Sequence, residues 1–437
     1  MTTQRMSEHK LRQRTMLVSG LGGYIDAGSI IAGAVALPYW TEAMGLSLST
    51  VGWLGAVSSN AASAGIGALI GGYLCDKYGR KKVITNNLVL YMIGVLLLIF
   101  VQNTPMLFIG YILVGLSVGC DIPATWALMS EAAKKEDRGS SGGLMQVFWH
   151  MGPIVVFALG LLVQSLGLMG TRILFAHLFI LALFTWYGRR QIAESSSWEK
   201  ARLSSGSQSL YRQYQELFSR PGQRGLLVCI SIYAFWNLMA STTGFFFPYL
   251  LQTFGNLSPN ASISFVMLNF FMAMLGTLII FKPLVDRINR RILFGIGMSM
   301  QCCAFLILAF CELNSTITII FFVLNGFGSG FAAQHFFQLW SSEFFPARLR
   351  ATATGFMFSV VRISCGIWAV FVPTVAAMGF TALGLILAGF IFIALIIGAI
   401  WGTDNRGRPL EEIEDEMGWH NESEQIKTPA HLLNESR

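Results

Sequence analysis

Four ionisable residues lie deep inside apolar stretches of the sequence: Asp26, Asp121, His150 and Arg362. At a rise of about 1.5 Å per helical residue, each lies about 15 to 18 Å from an end of its stretch, near the middle of a bilayer. A charge at that depth costs roughly 2.5 to 3.5 kcal/mol. Such residues are functional by default, although they can also be structural pairs that tie helices together.

The two acids and the two bases suggest different chemistry. Protonating a buried carboxylate removes its charge and changes which conformation has the lower free energy. We therefore predict that Asp26, and next Asp121, couple protons to a conformational change. A guanidinium binds a carboxylate in a bidentate way, and an imidazole is a second potential cation. We predict that Arg362 and His150 bind a substrate.

Other polar and aromatic side chains in apolar stretches could share the same cavity. They are Trp236, Asn237, Gln334, His335 and Gln338. Gln334 and Gln338 are four residues apart and share one face of a helix. Aromatic residues in membrane helices often serve packing instead, but we predict that all five contact the substrate.

The sequence carries no motif of an enzyme. The glycine run at Gly20 lies in an apolar helix with no strand before it, which is typical of close helix packing. The seven cysteines lie in apolar surroundings without metal-ligand spacing. We expect no catalytic residue, no metal and no cofactor.

The composition indicates where these residues are held. Of the 437 residues, 54% are hydrophobic and only 12% are charged, against about 25% charged in an ordinary soluble domain. No charged residue occurs between Val83 and Cys120, between Gly225 and Phe281, or between Ile363 and Thr403. Each stretch holds two spans of roughly 20 residues, so the chain is predicted to be an all-α, polytopic membrane protein.

We predict twelve transmembrane helices from the apolar stretches. They lie at 15–39, 50–73, 83–102, 105–129, 142–166, 172–188, 225–252, 260–283, 292–311, 314–341, 351–376 and 380–402. Alternating the loops between the two sides places all 30 Lys and Arg residues on one side, apart from Arg172 and Arg362. By the positive-inside rule that side is cytoplasmic, and so are both termini. Topology thus explains the net charge of +7, and we expect no nucleic-acid partner.

The two halves of the chain repeat each other. Asp76 and Arg80 match Asp286 and Arg290 at an offset of 210 residues, and Glu131 and Arg138 match Glu343 and Arg350 at 212. The longest polar connection separates six spans from six, as expected for a duplicated bundle. The predicted organisation is a first bundle at 1–190, a linker at 191–223, a second bundle at 224–402 and a tail at 403–437.

The charged motif has a known counterpart. From Gly72 the sequence reads GYLCDKYGRK, which resembles the G-x-x-x-D-[RK]-x-G-[RK]-[RK] loop signature of the major facilitator superfamily. With its repeat copy and the SEAAKKEDRG and SSEFFPARLRATATG segments, the resemblance covers essentially all twelve helices. Within that superfamily the chain looks most like the sugar-porter and metabolite:proton symporter branches.

The resemblance implies a fold and a gate. The fold would be two pseudo-symmetric six-helix bundles that rock about a central site. In the family, the matching charged positions form ion-pair networks that close the cytoplasmic side. The implied gate residues are Asp76, Arg80, Glu131, Arg138, Asp286, Arg290, Glu343 and Arg350.

These inferences predict a secondary active transporter of the cell inner membrane, driven by proton symport of a small polar organic solute. Arg362 favours an organic or sugar acid, whereas a neutral sugar or polyol fits if an aspartate neutralises Arg362. An exporter or drug antiporter of the same fold is an alternative, and a membrane-bound nutrient sensor is another. The expected partners are a small molecule, protons and the lipid bilayer, and we expect a monomer.

Overall fold

The computed structural model describes residues 2–59, 61–133, 136, 138–205, 210–247, 251, 257–312 and 314–419. Within these ranges the regular structure is helical, without a strand. Eleven helices are long and apolar enough to cross a membrane. The prediction of an all-α polytopic membrane protein is therefore confirmed.

The first half of the chain contains seven helices before residue 190, five of which are among these eleven. They are α1 (Thr2–Met44), α2 (Leu48–Ala56), α3 (Ala62–Tyr78), α4 (Arg80–Ile99), α5 (Thr104–Ala132), α6 (Arg138–Val163) and α7 (Leu168–Arg189). Two short helices follow, α8 (Ser196–Ser205) and α9 (Leu210–Leu217).

The second half begins with α10 (Arg220–Ser241), which continues as a π-helical turn over Thr242–Phe246. Next is α11 (Pro259–Gly276), which continues through a second π-helical turn, Thr277–Phe281. The remaining helices are α12 (Arg290–Phe310), α13 (Ser315–Ser329), α14 (Ala333–Phe344), α15 (Arg350–Ala377), α16 (Phe380–Trp401) and α17 (Leu410–Glu416).

The span predicted at 50–73 is broken into α2 and α3. The hydroxyl of Ser63 donates to the backbone carbonyls of Val57 and Ser58 at 2.6 and 2.9 Å. These bonds satisfy carbonyl groups that lose their helical partners at the break. The broken span is not among the eleven continuous helices, and with them it accounts for the twelve predicted spans.

Each half packs mainly on itself. In the first half, α1 packs against α6 and α7, and α5 packs against α3 and α4. In the second half, α12 packs against α13 and α16, and α10 packs against α15 and α16. The fold is therefore two six-span bundles, as predicted, whereas the exact boundaries at 190, 223 and 402 stay predictions.

The two bundles meet most closely where α3 crosses α15. A Cβ on Gly72 would lie 2.4 Å from the carbonyl oxygen of Ala351, and a Cβ on Gly355 would lie 2.2 Å from that of Ala68. Real Cβ atoms do not approach a backbone oxygen so closely. The glycine that opens the charged motif is thus required by the contact between the bundles.

The short helices gather at one end of the molecule. Trp198 of α8 donates from its indole N–H to the carbonyl of Asp76 at 2.8 Å. Trp419, just after α17, donates to the carbonyl of Phe344 at 3.0 Å. We call this end, which also carries both copies of the repeated charged motif, the charged end.

Candidate functional site

Arg80 is the centre of the first charged cluster. Its guanidinium is fully buried and contacts Asp76 at 3.0 Å and Glu131 at 3.1 Å. It also donates to the carbonyl of Ala347, in the other bundle, at 2.5 Å. Glu131 in turn lies 2.9 Å from Arg350 of α15. One carboxylate therefore joins a cation of each bundle.

The second copy of the motif repeats part of this geometry. Arg290 is fully buried and contacts Glu343 at 2.8 Å and Asp286 at 3.3 Å. The carboxylate of Asp286 also accepts hydrogen bonds from the backbone N–H groups of Gly139 and Ser140, at 3.2 and 2.9 Å. This second cluster therefore reaches the other bundle as well.

The first acid of each motif caps a helix of the opposite bundle. Asp76 Oδ2 accepts from the backbone N–H of Thr352 at 2.7 Å, in the first turn of α15, and Asp286 binds the first turn of α6. First-turn N–H groups lack helical partners and carry partial positive charge, so a carboxylate stabilises them. The repeat indicated that these acids matter but not that they cap helices. Arg138 begins α6, and its side chain lies outside the described residues.

Segments outside the spans complete the clusters. Ser195 donates its hydroxyl to Glu131, and Glu194 accepts from the backbone N–H groups of Arg80 and Lys81. Near the C-terminus, Glu414 contacts Arg350 at 3.2 Å and Asn405 donates to Glu343 at 3.2 Å. Sequence reasoning missed Asn405 and Glu414, because nothing in their spacing distinguishes them from other polar tail residues.

Asp26 belongs to α1, faces α6 and is only 5% exposed. Its Oδ2 accepts a hydrogen bond from the indole of Trp149 at 3.1 Å. Its Oδ1 is buried and has no hydrogen-bond partner among the described residues. Burying a carboxylate anion with one unpaired oxygen costs free energy, and protonation of the carboxyl group lowers that cost.

Arg362 projects from α15 of the opposite bundle and is 6% exposed. Its guanidinium lies over the ring of Phe358, 4.5 Å from the centroid, and its Cβ faces Gly65 of α3. It interacts electrostatically with Asp26 across the two bundles.

Asp121 has a different environment from Asp26. Both of its oxygens accept hydrogen bonds from Arg189, and Thr125 donates to Oδ2 at 3.0 Å. Arg189 is fully buried and also donates to the carbonyl of Ile84 at 3.0 Å. Arg189 is the last residue of α7, so its charge alone suggested a loop position. Its long side chain instead reaches back into the bundle.

A small cavity of about 80 Å³ lies between the bundles, mostly within the second one. One water needs roughly 10 to 15 Å³ of such volume, so the cavity has room for a few waters. Its polar and aromatic lining residues are Trp149, His150, Trp236, Thr243, Asn269, Phe270, Gln301, Phe322, Asn325, Ser329, Gln334 and His335. Asp, Glu, Lys and Arg are not among the described lining residues.

Three irregular helix segments surround this cavity. The π-helical turn at Thr242–Phe246 contributes Thr243 and Gly244 to the wall. The second π-helical turn begins at Thr277, which bonds the lining residue His335. The break between α13 and α14 lies directly before Gln334. Such departures from α-helix recur at functional sites because they turn side chains away from the regular helical face.

A chain of hydrogen bonds crosses the second bundle along the cavity. The indole of Trp236 donates to Gln301 Oε1 at 3.0 Å, and Gln301 Nε2 donates to Asn325 Oδ1 at 3.1 Å. Asn325 Nδ2 then donates to Asn269 Oδ1 at 2.9 Å. Every bond runs in one direction, so the chain ends at the amide N–H groups of Asn269. Of these four residues, only Trp236 was predicted from the sequence.

The two histidines meet across the bundles, with their rings nearly parallel and 6.0 Å apart. His150 Nδ1 lies 2.7 Å from the carbonyl oxygen of Gln146, which can only accept, so Nδ1 carries the hydrogen. His335 Nε2 lies 2.9 Å from the hydroxyl of Thr277, which also lies 3.0 and 2.9 Å from the carbonyls of Ala273 and Gly330. Because the hydroxyl donates to a carbonyl, Nε2 donates to it. In neutral rings, His150 Nε2 and His335 Nδ1 are therefore acceptors.

The other residues predicted to bind substrate lie near the cavity but make different contacts. Gln334 and Gln338 both bond Gln146 of the other bundle, at 2.9 and 2.8 Å. Gln338 lies beyond the cavity toward the charged end, in a smaller pocket with Ser342. Asn237 donates to the carbonyl of Tyr233 in its own helix at 2.9 Å and does not line the cavity.

Two membrane-spanning helical bundles that meet over a small cavity with several polar lining residues, and are joined by charged groups at one end, define a membrane carrier. The chain belongs to the Major Facilitator Superfamily, whose family model matches residues 17–369 and 226–432. It is a transporter of that superfamily and not an enzyme.

Curated relatives match nearly the whole chain. The minor myo-inositol transporter IolF of Bacillus subtilis (strain 168) is 39% identical over 408 residues, which cover 92% of this chain and 93% of the relative. The glucose transporter GlcP of Staphylococcus epidermidis is 26% identical over 92% of this chain and 96% of the relative. Among solved structures, a double Trp mutant of XylE matches with a TM-score of 0.80 at 16% identity, covering 92% of this chain and 98% of that chain.

Proposed function

We propose that the protein is a proton-coupled importer of a neutral cyclic polyol or monosaccharide. The observation that carries the proposal is the polar part of the cavity lining, which is made of amides, hydroxyls, imidazoles and indoles, without an Asp, Glu, Lys or Arg among the described lining residues. A charged substrate would lose its hydration there without gaining an opposite charge, which is costly. A polyol instead offers hydroxyl groups that both donate and accept hydrogen bonds.

The hydrogen-bond directions support this substrate class. Asn269 presents N–H donors at the end of its amide chain, whereas His150 presents an acceptor, its Nε2. A ring carrying several hydroxyls can satisfy both kinds of group at once. The myo-inositol transporter IolF, at 39% identity, supports the same class and makes inositol the first substrate to test.

Asp26 is the proposed proton-coupling residue. When Asp26 is ionised, its charge and that of Arg362 attract each other across the bundles. Protonation removes that attraction and changes the relative free energies of the two access states. Asp121 is a weaker candidate, because Arg189 already supplies its carboxylate with two hydrogen bonds.

The charged end is proposed to face the cytoplasm, with both termini on that side of the cell inner membrane. The concentration of Lys and Arg in segments at that end supports this orientation by the positive-inside rule. The ion pairs there join the two bundles, so this conformation would be closed toward the cytoplasm. Substrate would then enter from outside.

Uptake in proteoliposomes with an imposed proton gradient tests the proposal. Labelled myo-inositol should accumulate above its outside concentration and should leak out when a protonophore collapses the gradient. Unlabelled inositol and other cyclic polyols should compete, whereas glucuronate, which has a similar size and a negative charge, should not. Competition by glucuronate and not by inositol would favour the organic-acid alternative and refute the neutral-substrate proposal.

A further inference from the structure

A groove of about 480 Å³ lies on the membrane-facing side of the first bundle, outside the central cavity. Its walls are α3 and α4, and α5 forms its floor. Ile70 and Leu74 of α3, Leu90 of α4 and Leu116 of α5 make it largely apolar. Ile70 is 49% exposed, so the groove opens outward to the lipid and not into the bundle.

The groove has the length of one lipid leaflet. It extends along α3 from Gly67 to Tyr78, a rise of about 16 Å. Half of a bilayer hydrocarbon core is about 15 Å. The groove therefore runs from the headgroup level at the charged end to about the middle of the membrane, as one acyl chain does.

Two lysines surround an aromatic ring at the headgroup end of the groove. Lys77 Nζ lies 5.2 Å from the ring centroid of Tyr78, and Lys82 Nζ lies 5.8 Å from the same centroid. Lys77 also donates to the hydroxyl of Tyr73 at 3.1 Å. The nearby carboxylate of Glu194 is bound to backbone N–H groups of α4. The mouth of the groove is thus positively charged and aromatic, which suits an anionic headgroup.

A polar side chain also lies at the level expected for the ester groups of a lipid. Asn86 lines the groove and is exposed. It is four residues deeper than Lys82 on the same helix, a descent of about 6 Å. An amide at this depth can donate to an ester carbonyl just below a phosphate bound by Lys82.

We propose that this groove binds one anionic phospholipid of the leaflet at the charged end. Lys77 and Lys82 hold its phosphate, Asn86 donates to an ester carbonyl, and one acyl chain lies against Ile70 and Leu116. The order of cation, amide donor and apolar wall along the groove matches the order of groups in a phospholipid. A free phosphate would use only the lysines.

Native mass spectrometry of the full-length protein can test the site. Purified protein is mixed with phosphatidylglycerol or phosphatidylcholine of identical acyl chains, and retained lipid is counted. We expect a preference for phosphatidylglycerol, and we expect Lys82→Ala to lower it about fivefold, as for one basic side chain near an anionic surface. Arg291→Ala, which removes an exposed cation at the same end of the second bundle, should leave the preference unchanged.

A pair of tryptophan variants tests the acyl part of the groove. Ile70→Trp fills the groove and should abolish the preferential retention. Ile66→Trp adds the same bulk on the same helix, at a residue that is 51% exposed and does not line the groove, and should retain lipid as the wild type does. Thermal unfolding must show both variants folded.

Equal retention of the two lipids by the wild type would overturn the proposal. So would an unchanged preference in both Lys82→Ala and Ile70→Trp, because the lysines would then serve topology alone. Inorganic phosphate that displaces the lipid without any effect of Ile70→Trp would indicate a free-phosphate site and would also refute it.

Discussion

The charged end and the centre of the molecule join the same two bundles with different chemistry. At the charged end the contacts between bundles are ionic, with Glu131 on Arg350 at 2.9 Å and Asp76 on the first turn of α15. At the centre they are neutral, with Gln146 bonded to Gln334 and Gln338. Ionic partners are costly to separate unless water reaches both. A hydrogen bond between two neutral amides can instead be replaced by hydrogen bonds from each amide to substrate hydroxyls, at little cost in free energy.

The difference suggests a division of labour in the transport cycle. We propose that the charged end controls which conformation is populated, because its groups are buried here and would be hydrated when that end opens. The centre would then control which solute is accepted. Asp26 and Arg362 are the exception, since they place two ionisable side chains on opposite bundles at the depth where the other contacts between bundles are neutral.

The largest effect is expected from Asp26→Asn, which removes the proposed proton site without changing its size. Net accumulation against a gradient should be abolished, so that the inside-to-outside ratio falls to about one, while exchange of labelled for unlabelled solute continues. Uptake and counterflow in the same proteoliposomes measure both quantities. If the Asp26→Asn variant still concentrates solute and still responds to a protonophore, Asp26 is not the proton site, and Asp121 is the next candidate.

The second prediction concerns a substitution that removes ion pairs at the charged end. Glu131→Gln leaves Arg80 and Arg350 buried without their shared carboxylate, which costs roughly 3 to 5 kcal/mol in comparable buried pairs. The conformation open at the charged end should rise more than a hundredfold relative to the closed one. A cysteine at Ser342, which is buried between gate and cavity, should then react faster with a thiol reagent added on that side.

Glu199→Gln is the matched control for that experiment. Glu199 lies on α8 at the same end but is exposed, and an exposed carboxylate contributes little. The labelling rate should therefore equal that of the parent protein. If Glu131→Gln also leaves the rate unchanged, the charged end would not control the population.

The charged end was more predictable from the sequence than the centre. Repeated acids and bases at fixed offsets indicated Arg80, Glu131 and their second copies, because an interaction between helix ends depends mainly on position along the chain. The cavity depends on π-helical turns and on a helix break, which redirect side chains such as Gln301 and Asn325. An estimate of membrane depth from the residue count assumes regular helices. It gives the depth of a Cα atom but not the direction of its side chain.

Arg189, the partner of Asp121, shows the same limit of predicting a side chain's surroundings from its position in the sequence. A cation at the last residue of an apolar stretch normally marks the membrane boundary. Here its side chain extends inward to Asp121. The depth argument therefore predicted a role for Asp121 but none for Arg189. The twelve spans themselves followed from apolar length alone, which is why they could be counted correctly.

The third prediction concerns Arg362, where two accounts differ. If Arg362 balances Asp26, Arg362→Lys should retain most substrate binding, because an ammonium also supplies the charge. Arg362→Ala should weaken binding by about tenfold, and Asp26→Asn in the same chain should recover much of that loss. Binding titrations on the single and double variants measure this. Equal loss in Arg362→Lys and Arg362→Ala, with no recovery in the double variant, would favour a bidentate substrate carboxylate.

The smallest effect is expected at the neutral contact between the bundles. Gln338→Leu removes the acceptor of the Gln146 amide but leaves the bond from Gln334 in place. Losing one neutral hydrogen bond costs about 1 kcal/mol, so the labelling rate of the Ser342 cysteine should rise only about fivefold. Gln301→Leu is the companion variant, because Gln301 bonds Trp236 and Asn325 within one bundle. It should lower substrate affinity without changing the labelling rate. A rise after Gln338→Leu as large as after Glu131→Gln would show that the centre, and not the charged end, holds the bundles closed.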